Sequence, residues 1–350
     1  MSPAPQGASR QCGYHPRGVR RGVFRIHLPP ARLIDYSRMS NSQERGRANM
    51  LTGRHLLFVG GDARQLEVIS TVLQLDASVS LAGFDTLPET FADAQLVPLT
   101  EESFRQVDAL VLPVAGIDNN GTVSSHFSPD TLTLTPSHFA AMSAGTFVFT
   151  GISQAYLAAQ CTEHSLRLVR LMELDEVAIL NSIPTAEGAI ALAMEHTDIT
   201  IHSSRCLVLG FGRCGQTLAR SLDALRAKVG VVARGTADLA RIEELGFRPV
   251  PLAQLSSAVA DEDVIFNTIP FPVLTASVLK EMKASAVIID IASRPGGTDF
   301  RYAERRRLKA ILAPSLPGMV APKTAGRIIA GTLSRILAEA AEEGGMSTWI

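Results

Sequence analysis

An apolar run followed by spaced glycines constrains the fold of this chain more than any other feature. It occupies positions 204–218, Ser-Arg-Cys-Leu-Val-Leu-Gly-Phe-Gly-Arg-Cys-Gly-Gln-Thr-Leu. The run Arg205 to Leu209 predicts a buried strand, and Gly210, Gly212 and Gly215 follow it with the spacing of a dinucleotide-binding turn. In such a turn the first glycine permits the tight bend, the second lets the backbone approach a pyrophosphate, and the third lets a helix pack on the strand. The stretch therefore predicts an α/β domain with a cofactor site.

A helix is predicted to follow these glycines, from about Gln216 to Lys228. Its N-terminus would present unpaired N–H groups and the positive end of the helix dipole to the phosphates. The alternative is a glycine-rich turn that binds nothing. The cofactor-binding residues predicted from the turn are Gly210, Phe211, Gly212, Arg213 and Gly215.

Length and composition limit the possible classes of protein. With 350 residues, 46% of them hydrophobic and 19% charged, the chain is expected to form two globular domains. A net charge of -1 gives no general attraction to nucleic acids or acidic membranes. No apolar run approaches the roughly 20 residues that span a bilayer. The four cysteines are scattered without metal-ligand spacing, so we expect a cytoplasmic protein with reduced thiols and no metal site.

Residues 1–49 differ from the rest of the chain. They contain nine arginines, no lysine, and only Asp35 and Glu44 as acids, with little hydrophobic periodicity. Transit peptides and basic tails that bind nucleic acid share such a composition. We favour a disordered extension, or translated sequence upstream of the true start, because Met50 leads directly into a predicted strand.

Residues 50–180 are predicted to form an α/β domain on the substrate side. Apolar strands alternate with helical segments, which indicates a parallel sheet covered on both faces, here of the flavodoxin-like type. Gly60-Gly61 follows the first strand, but the full dinucleotide pattern does not occur there. The predicted strands are His55–Val59, Ser78–Ala82, Gln95–Pro98, Val107–Leu112 and Gly145–Phe149.

Residues 204–320 are predicted to form a Rossmann NAD(P)-binding domain, because six strands with intervening helices match a doubly wound dinucleotide fold. Residues 181–203 are predicted to form a connecting helix that begins at Pro184. Residues 321–345 are predicted to form a C-terminal helix that packs back on the first domain. After Arg205–Leu209 the predicted strands are Lys228–Ala233, Phe247–Val250, Asp263–Asn267, Ala286–Asp290 and Lys309–Ala313.

The residues after the second strand of this domain indicate the type of cofactor. An NAD site would have Asp or Glu there for the ribose 2′-hydroxyl, but the chain has Arg234 and Thr236, which favour the 2′-phosphate of NADP over NAD. Asn267 ends the fourth strand and Thr268 follows it, and both are expected to hydrogen-bond the ribose or carboxamide. Pro317, after the sixth strand, is expected to line the nicotinamide half of the site.

Charged residues at the carboxyl edges of both sheets are candidates for substrate binding and catalysis, because open α/β sheets bind ligands at that edge. Arg64 can clamp a carboxylate, and Asp62 can orient it or accept a proton; alternatively, Asp62 caps a helix and Arg64 is solvated. Arg294 can bind a carboxylate or stabilise developing negative charge. Glu187, at the predicted start of the connecting helix, is a candidate base or a helix cap. The candidates for an anion site at the start of the final helix are Lys323 and Thr324.

Several segments, in the right order, resemble the A subunits of dipicolinate synthase from spore-forming bacteria. The resemblance extends from Met50 to about Glu343. That family is similar in its two-domain build to alanine and formate/glycerate dehydrogenases. The matching segments are 60–67 (Gly-Gly-Asp-Ala-Arg-Gln-Leu-Glu), 181–188 (Asn-Ser-Ile-Pro-Thr-Ala-Glu-Gly), 208–213, 267–270, 292–300 and 316–326.

The resemblance implies an oxidoreductase that works with a B subunit during sporulation, on a branch of the lysine pathway. Its substrate would be 4-hydroxy-tetrahydrodipicolinate or the dihydro species formed by dehydration, a small dicarboxylate. Two-electron oxidation would give dipicolinate, with a nicotinamide cofactor as hydride acceptor. Arg64 and Arg294 would bind the two carboxylates, and Asp62 or Glu187 would accept the proton.

Two rival functions stay open. One is an amino-acid or 2-hydroxy-acid dehydrogenase of the same build, which would ordinarily need a cleft histidine paired with a carboxylate or lysine, and no such pair is evident. The other is a cofactor-binding subunit without activity of its own. A homo-oligomer is compatible with all three functions.

Overall fold

A computed structural model of the chain describes residues 49–87 and 91–346. The predictions for residues 1–48 lie outside this part of the chain. The described residues form two α/β domains, joined by one long helix and spanned by a second.

Six parallel strands form the sheet of the first domain, in the order β3-β2-β1-β4-β7-β8. Strands β1 and β2 are buried except at their first residues, as expected of parallel strands covered on both faces. Two short strands, β5 and β6, form a separate antiparallel hairpin. The elements are β1 His55–Val59, α1 Ala63–Gln74, β2 Ser78–Ala82, β3 Ala94–Leu96, β4 Ala109–Val111, β5 Thr122–Val123, β6 Leu132–Thr133, α2 Pro136–Ala140, β7 Phe147–Thr150, α3 Ala155–Glu163 and β8 Arg167–Arg170.

The first sheet corrects one detail of the prediction. Two doubly wound parallel-sheet domains are confirmed, but the order of the six strands is that of a dinucleotide-binding sheet, not the 2-1-3-4-5 order of a flavodoxin-like fold. The difference arises because β3 pairs with β2 at one edge of the sheet, and β4 takes the position on the other side of β1. A sixth strand, β8, also pairs with β7 at the opposite edge. With arginine at both ends and only half-buried side chains, β8 has too weak an apolar pattern to be predicted.

A long helix, α4 (Asp175–His196), connects the domains and begins earlier than predicted. The prediction that the helix starts at Pro184 is wrong, because Pro184 is buried inside it. The hydroxyls of Ser182 and Thr185 donate to backbone carbonyls one turn earlier, beside the position where proline removes an N–H donor. Glu187 therefore lies in the middle of α4 and cannot cap its start.

Helix α4 also differs from the expectation for apolar runs. It has 22 residues, and an 18-residue stretch within it has a mean hydropathy of 1.4, enough by length and composition to cross a membrane. Four of its residues are nevertheless acidic, and Ala186, Ala189, Ile190 and Ala193 are part of the buried core of the second domain. Core helices of globular proteins commonly combine these properties.

The second domain repeats the architecture of the first, with six parallel strands in the order β11-β10-β9-β12-β13-β14. Its central strands β9, β12 and β13 are almost entirely apolar and buried, as predicted. The elements are β9 Arg205–Leu209, α5 Arg213–Ala224, β10 Lys228–Ala233, α6 Thr236–Glu244, β11 Arg248–Pro251, α7 Leu255–Ala258, β12 Val264–Asn267, α8 Ala276–Leu279, β13 Val287–Asp290, α9 Phe300–Arg305, β14 Lys309–Leu312 and α10 Leu316–Val320.

The last helix, α11 (Pro322–Met346), leaves the second domain and packs on α1 of the first. Its residues Ile329, Ala330, Leu333 and Leu337 belong to the first domain's buried core. The chain thus crosses between the domains twice, through α4 and through α10 and α11. These crossings bring the carboxyl edge of the first sheet towards that of the second.

Candidate active site

The glycine turn after β9 has the geometry of a dinucleotide site. Gly210 has a φ of +100°, in the left-handed region that favours glycine. A Cβ on Gly215 would lie 2.1 Å from the carbonyl oxygen of Gly210, so only glycine permits α5 to approach the turn this closely. A Cβ on Gly212, in contrast, would meet no atom of the described residues within 4 Å. Packing does not require glycine at position 212, whereas the close approach of a pyrophosphate would.

Helix α5 begins at Arg213, three residues before the predicted start at Gln216. Gly212 is the N-cap, because its carbonyl already accepts the N–H of Gln216 at 2.9 Å. The amides of residues 213–215 therefore precede the first helical hydrogen bond and are available to an anion. The side chain of Arg213 forms an exposed ion pair with Asp175 (Nη1–Oδ1 2.9 Å) at the start of α4. A contact between Arg213 and a phosphate would require that pair to open.

The side chains predicted to recognise a 2′-phosphate are exposed at the end of β10. Arg234 follows the buried Ala233 directly, and Thr236 is the first residue of α6. One carboxylate is nearby, since a Cβ on Gly235 would lie 3.3 Å from Oδ2 of Asp238. The position after the strand, where an NAD site would have an acid, nevertheless belongs to an exposed arginine.

The side chains of Asn267 and Thr268 both form hydrogen bonds within the protein. Asn267 is fully buried; its Nδ2 donates to the carbonyl of Ile269 (3.1 Å) and to Oδ1 of Asp290 (3.0 Å). Thr268 Oγ1 donates to the carbonyl of Leu209 at 2.8 Å. Both N–H donors of the Asn267 amide are thus used within the protein, so a hydrogen bond from them to ribose or carboxamide would require these contacts to open. Thr268 supports the glycine turn from behind.

In the first domain the chain itself covers the corresponding turn. A Cβ on Gly60 would lie 3.0 Å from the carbonyl oxygen of Ser124. Gly61 forms a bridge with Ser125, and its carbonyl accepts the N–H of His126 at 2.8 Å. The two sheets share a strand order, but only the turn after β9 is open to a dinucleotide.

Asp62 and Arg64 form a bidentate ion pair at the start of α1. Nε of Arg64 donates to Oδ1 of Asp62 (3.0 Å) and Nη2 to Oδ2 (2.5 Å), while the backbone N–H of Arg64 also donates to Oδ1 (2.9 Å). Burial alone would raise the pKa of Asp62, but the hydrogen bonds and charge of Arg64, with a smaller contribution from His126, hold that pKa below its usual value. Asp62 thus caps the helix and fixes the arginine, and its low pKa makes it a weak base.

Arg64 lies where the two domains meet. Its side chain is buried, and a Cβ on Gly318 of α10 would lie 3.0 Å from its Cζ. Gly326 of α11 lies against its backbone, since a Cβ there would be 2.6 Å from the carbonyl oxygen of Arg64. Lys323 and Thr324 are exposed in the first turn of α11, just before Gly326. The structure thus brings three of the predicted substrate-binding residues to one junction.

Comparison with known proteins agrees with this arrangement. Residues 55–172 match the model of the N-terminal domain of the dipicolinate synthase A subunit, and residues 185–296 match that of the D-isomer specific 2-hydroxyacid dehydrogenase NAD-binding domain. The chain is 48% identical to the dipicolinate synthase A subunit of Bacillus subtilis (strain 168) over 296 residues, which is 84% of this chain and 100% of that protein. The chain belongs to the family of dipicolinate synthase A subunits.

Solved structures support the same assignment. The crystal structure of the dipicolinate synthase A subunit from Bacillus halodurans has a TM-score of 0.80 and 48% identity, covering 83% of this chain and 99% of that one. An L-alanine dehydrogenase, with a TM-score of 0.56 and 16% identity over 82% of this chain and 90% of that one, has a similar fold. The matched NAD-binding domain supports an oxidoreductase with a nicotinamide cofactor.

The remaining predicted residues of this dipicolinate synthase family member form no side-chain hydrogen bond or ion pair with Asp62 or Arg64 among the described residues. Glu187 is exposed on α4 beside Gly188, against which Leu316 of α10 packs. Pro317 is buried within α10. Arg294 is exposed in the loop after β13. Arg64 lies against α10 and α11. Among the described residues its ion pair is with Asp62, and not with Glu187.

One residue that the sequence did not single out is central to this loop. Asp290 is the fully buried last residue of β13 and accepts hydrogen bonds from both ends of the segment that contains Arg294. The available signal was an acid at the end of an otherwise apolar strand, Val-Ile-Ile-Asp.

Proposed function

We propose that this protein is the oxidising subunit of a dipicolinate synthase. In this proposal it converts a dihydrodipicolinate species, derived from 4-hydroxy-tetrahydrodipicolinate, to dipicolinate and works with a B subunit. The observation that supports it most is the junction at which Arg64 of the first sheet's carboxyl edge lies against Gly318 of the cofactor domain. An anionic substrate bound there would be held between the two domains.

NADP is the proposed cofactor. The open position at Gly212 and the free amides of 213–215 suit a pyrophosphate, and Arg234 suits a 2′-phosphate. When bound, the nicotinamide would accept the hydride that leaves the substrate ring. The residues of the chain would bind and orient the cofactor and keep it at the carboxyl edge of the second sheet.

A dicarboxylate needs two cationic contacts, and we assign these to Arg64 and Arg294, with Lys323 and Thr324 as further donors. Asp62 holds the Nε/Nη2 edge of the Arg64 guanidinium, so its role is to orient that arginine for a carboxylate at the remaining N–H groups. Aromatisation also releases a proton. Because the low pKa of Asp62 disfavours it as acceptor, we assign proton acceptance to Glu187.

The test is an assay of the purified chain with and without a B subunit, with 4-hydroxy-tetrahydrodipicolinate as substrate. Reduced cofactor and dipicolinate should appear together and in equal amounts, faster with NADP than with NAD. Cofactor binding without turnover under both conditions would indicate a non-catalytic subunit. Turnover of 2-hydroxy or 2-amino acids in place of this substrate would indicate a dehydrogenase of the rival class. The proposal also locates the enzyme in the cytoplasm of a sporulating cell.

A further inference from the structure

Asp290 is a buried carboxylate whose hydrogen-bond donors, among the described residues, are all neutral. Its side chain has no exposed surface. Oδ1 accepts from Nδ2 of Asn267 (3.0 Å) and from the N–H of Ala292 (3.2 Å), and Oδ2 accepts from the N–H of Gly297 (2.9 Å) and from Oγ1 of Thr298 (2.6 Å). A buried charge is costly unless hydrogen bonds replace its hydration, and here four donors do so. Such an arrangement is built around the carboxylate.

These donors close one loop upon itself. Ala292 lies at its start and Gly297 and Thr298 at its end, while Arg294 lies exposed between them. Gly296, with a φ of +86°, approaches so closely that a Cβ would lie 3.0 Å from Oδ2 of Asp290. The carboxylate therefore fixes the base of the loop, in which Arg294 is exposed.

The same network continues to the cofactor turn. Asn267 and Asp290 are paired in register on β12 and β13. The next residue, Thr268, donates to the carbonyl of Leu209, and its Oγ1 would lie 2.5 Å from a Cβ on Gly210. The adjacent residues Asn267 and Thr268 thus connect the two places, the first by its hydrogen bond to Asp290 below the loop that contains Arg294, the second by its hydrogen bond to Leu209 before the glycine turn.

We propose that Asp290 is a positioning residue, which holds Arg294 at a fixed place relative to the cofactor and so sets the affinity for one substrate carboxylate. This inference rests on the substrate-binding role proposed for Arg294. A carboxylate suits the task because it accepts on both oxygens. An asparagine at this position would have one acceptor oxygen and one NH₂ group. Whichever way its amide is turned, the NH₂ group would face two of the four donors, and one of those two would be a backbone N–H.

The first test is Asp290→Asn, with Asp299→Asn as matched control. Asp299 is nearby and exposed, and it caps α9 by accepting from the N–H of Tyr302, which asparagine does equally well. In the holoenzyme, D290N should raise the KM for the dicarboxylate about tenfold or more, as expected for loss of one charge-assisted contact. The Kd of NADPH should change less than about twofold, because Thr268 still supports the turn. The control D299N should leave both constants unchanged.

A double-mutant cycle separates positioning from general stability. Binding of pyridine-2,6-dicarboxylate is measured by calorimetry on wild type, D290N, Arg294→Ala and the double variant, each with NADP bound. D290N should weaken binding in the presence of Arg294 and have less than about a twofold effect in its absence. Hydrogen exchange at the amides of Ala292 and Gly297 should accelerate in D290N while the glycine turn stays protected.

Equal loss in both backgrounds, or unchanged exchange in the loop, would overturn the role of Asp290 while leaving the proposed function intact. A wild-type protein that neither binds pyridine-2,6-dicarboxylate nor forms it would instead overturn the proposed function. If D290N does not fold, Thr298→Val is tested in its place. Thr298→Val removes the hydroxyl that donates to Asp290 and should raise the KM for the dicarboxylate, whereas Thr298→Ser keeps that hydroxyl and should have the KM of wild type. Identical kinetics of these two variants would contradict the inference.

Discussion

The two glycines that follow Gly210 in the cofactor turn should respond to the same substitution in different ways. Gly215→Ala introduces a methyl group 2.1 Å from the carbonyl oxygen of Gly210. Carbon–oxygen contacts ordinarily lie at about 3.3–3.6 Å, so the turn and the start of α5 must separate by about 1 Å. Overpacking of this size costs about 1–3 kcal/mol, which should lower Tm by roughly 2–10 °C in a chain of this length.

The displacement also moves the free amides of α5 away from the pyrophosphate. Loss of one hydrogen bond to a charged group costs about 1.5–3 kcal/mol, which corresponds to a rise in the Kd of NADPH of roughly 10- to 150-fold. Gly212→Ala meets no atom of the described residues within 4 Å, so its Tm should equal that of wild type. Its Kd should nevertheless rise, because the methyl group occupies the space that a pyrophosphate approaches.

Thermal melting of the free proteins and fluorescence titration with NADPH measure both effects. The expected pattern is a fall in Tm and in affinity for Gly215→Ala, and a fall in affinity alone for Gly212→Ala. A Gly212→Ala variant with the NADPH affinity of wild type would refute the reasoning that this glycine exists for a ligand.

Three further substitutions test charged groups. Arg234→Ala should raise the Kd of NADPH roughly 10-fold or more by removing a charge-assisted contact, with little effect on NADH; equal losses for both would place the 2′-phosphate elsewhere. Asp62→Asn should destabilise the protein by about 1–3 kcal/mol at neutral pH. Because the pKa of Asp62 in the folded protein lies below its ordinary 3.8, ionised Asp62 stabilises the fold above pH 3.8, and this stabilisation is lost as pH falls through the folded pKa. The Tm of Asp62→Asn should therefore approach the Tm of wild type in acid. The opposite sign is expected at Glu262, where burial raises the pKa above its ordinary 4.5 despite the ion pairs with Arg248 and Arg205. Ionisation of Glu262 therefore removes stability as pH rises through the folded pKa, so the Tm of Glu262→Gln should rise relative to wild type as pH increases above 4.5. A difference in Tm that does not change with pH would contradict either assignment.

The sequence predicted the sheets well because parallel central strands leave a strong signal. Strands such as β9 and β13 are buried on both faces and are therefore continuous apolar runs. The edge strand β8 contacts solvent, and its pattern is correspondingly weak. The start of α4 was misplaced because proline favours the first turn of a helix but can also lie inside one when nearby hydroxyls bond the carbonyls around it.

The candidate site was only partly predictable, because residue type does not reveal which partner a side chain chooses. The sequence located Asp62 and Arg64 correctly at a carboxyl edge and left capping and substrate binding as alternatives; in the structure Asp62 caps α1 and binds Arg64. Asn267 lies at the predicted edge as well, but its amide is used by Asp290 on the neighbouring strand. That pairing depends on the register between β12 and β13, which local sequence does not contain.

One local difference between the two domains bears on which ligand each of them could bind. Both sheets have the strand order of a dinucleotide-binding fold, and both place glycines after their first strand. In the first domain the segment around β5 and β6 covers those glycines, with Ser124 and His126 in the space that a pyrophosphate would need. At the same edge Asp62 holds the buried Arg64 against α10 of the other domain. An edge that is covered at its glycines but carries a fixed cation suits a small anion better than a dinucleotide, which supports the proposal that a substrate carboxylate binds at the first domain and the cofactor at the second.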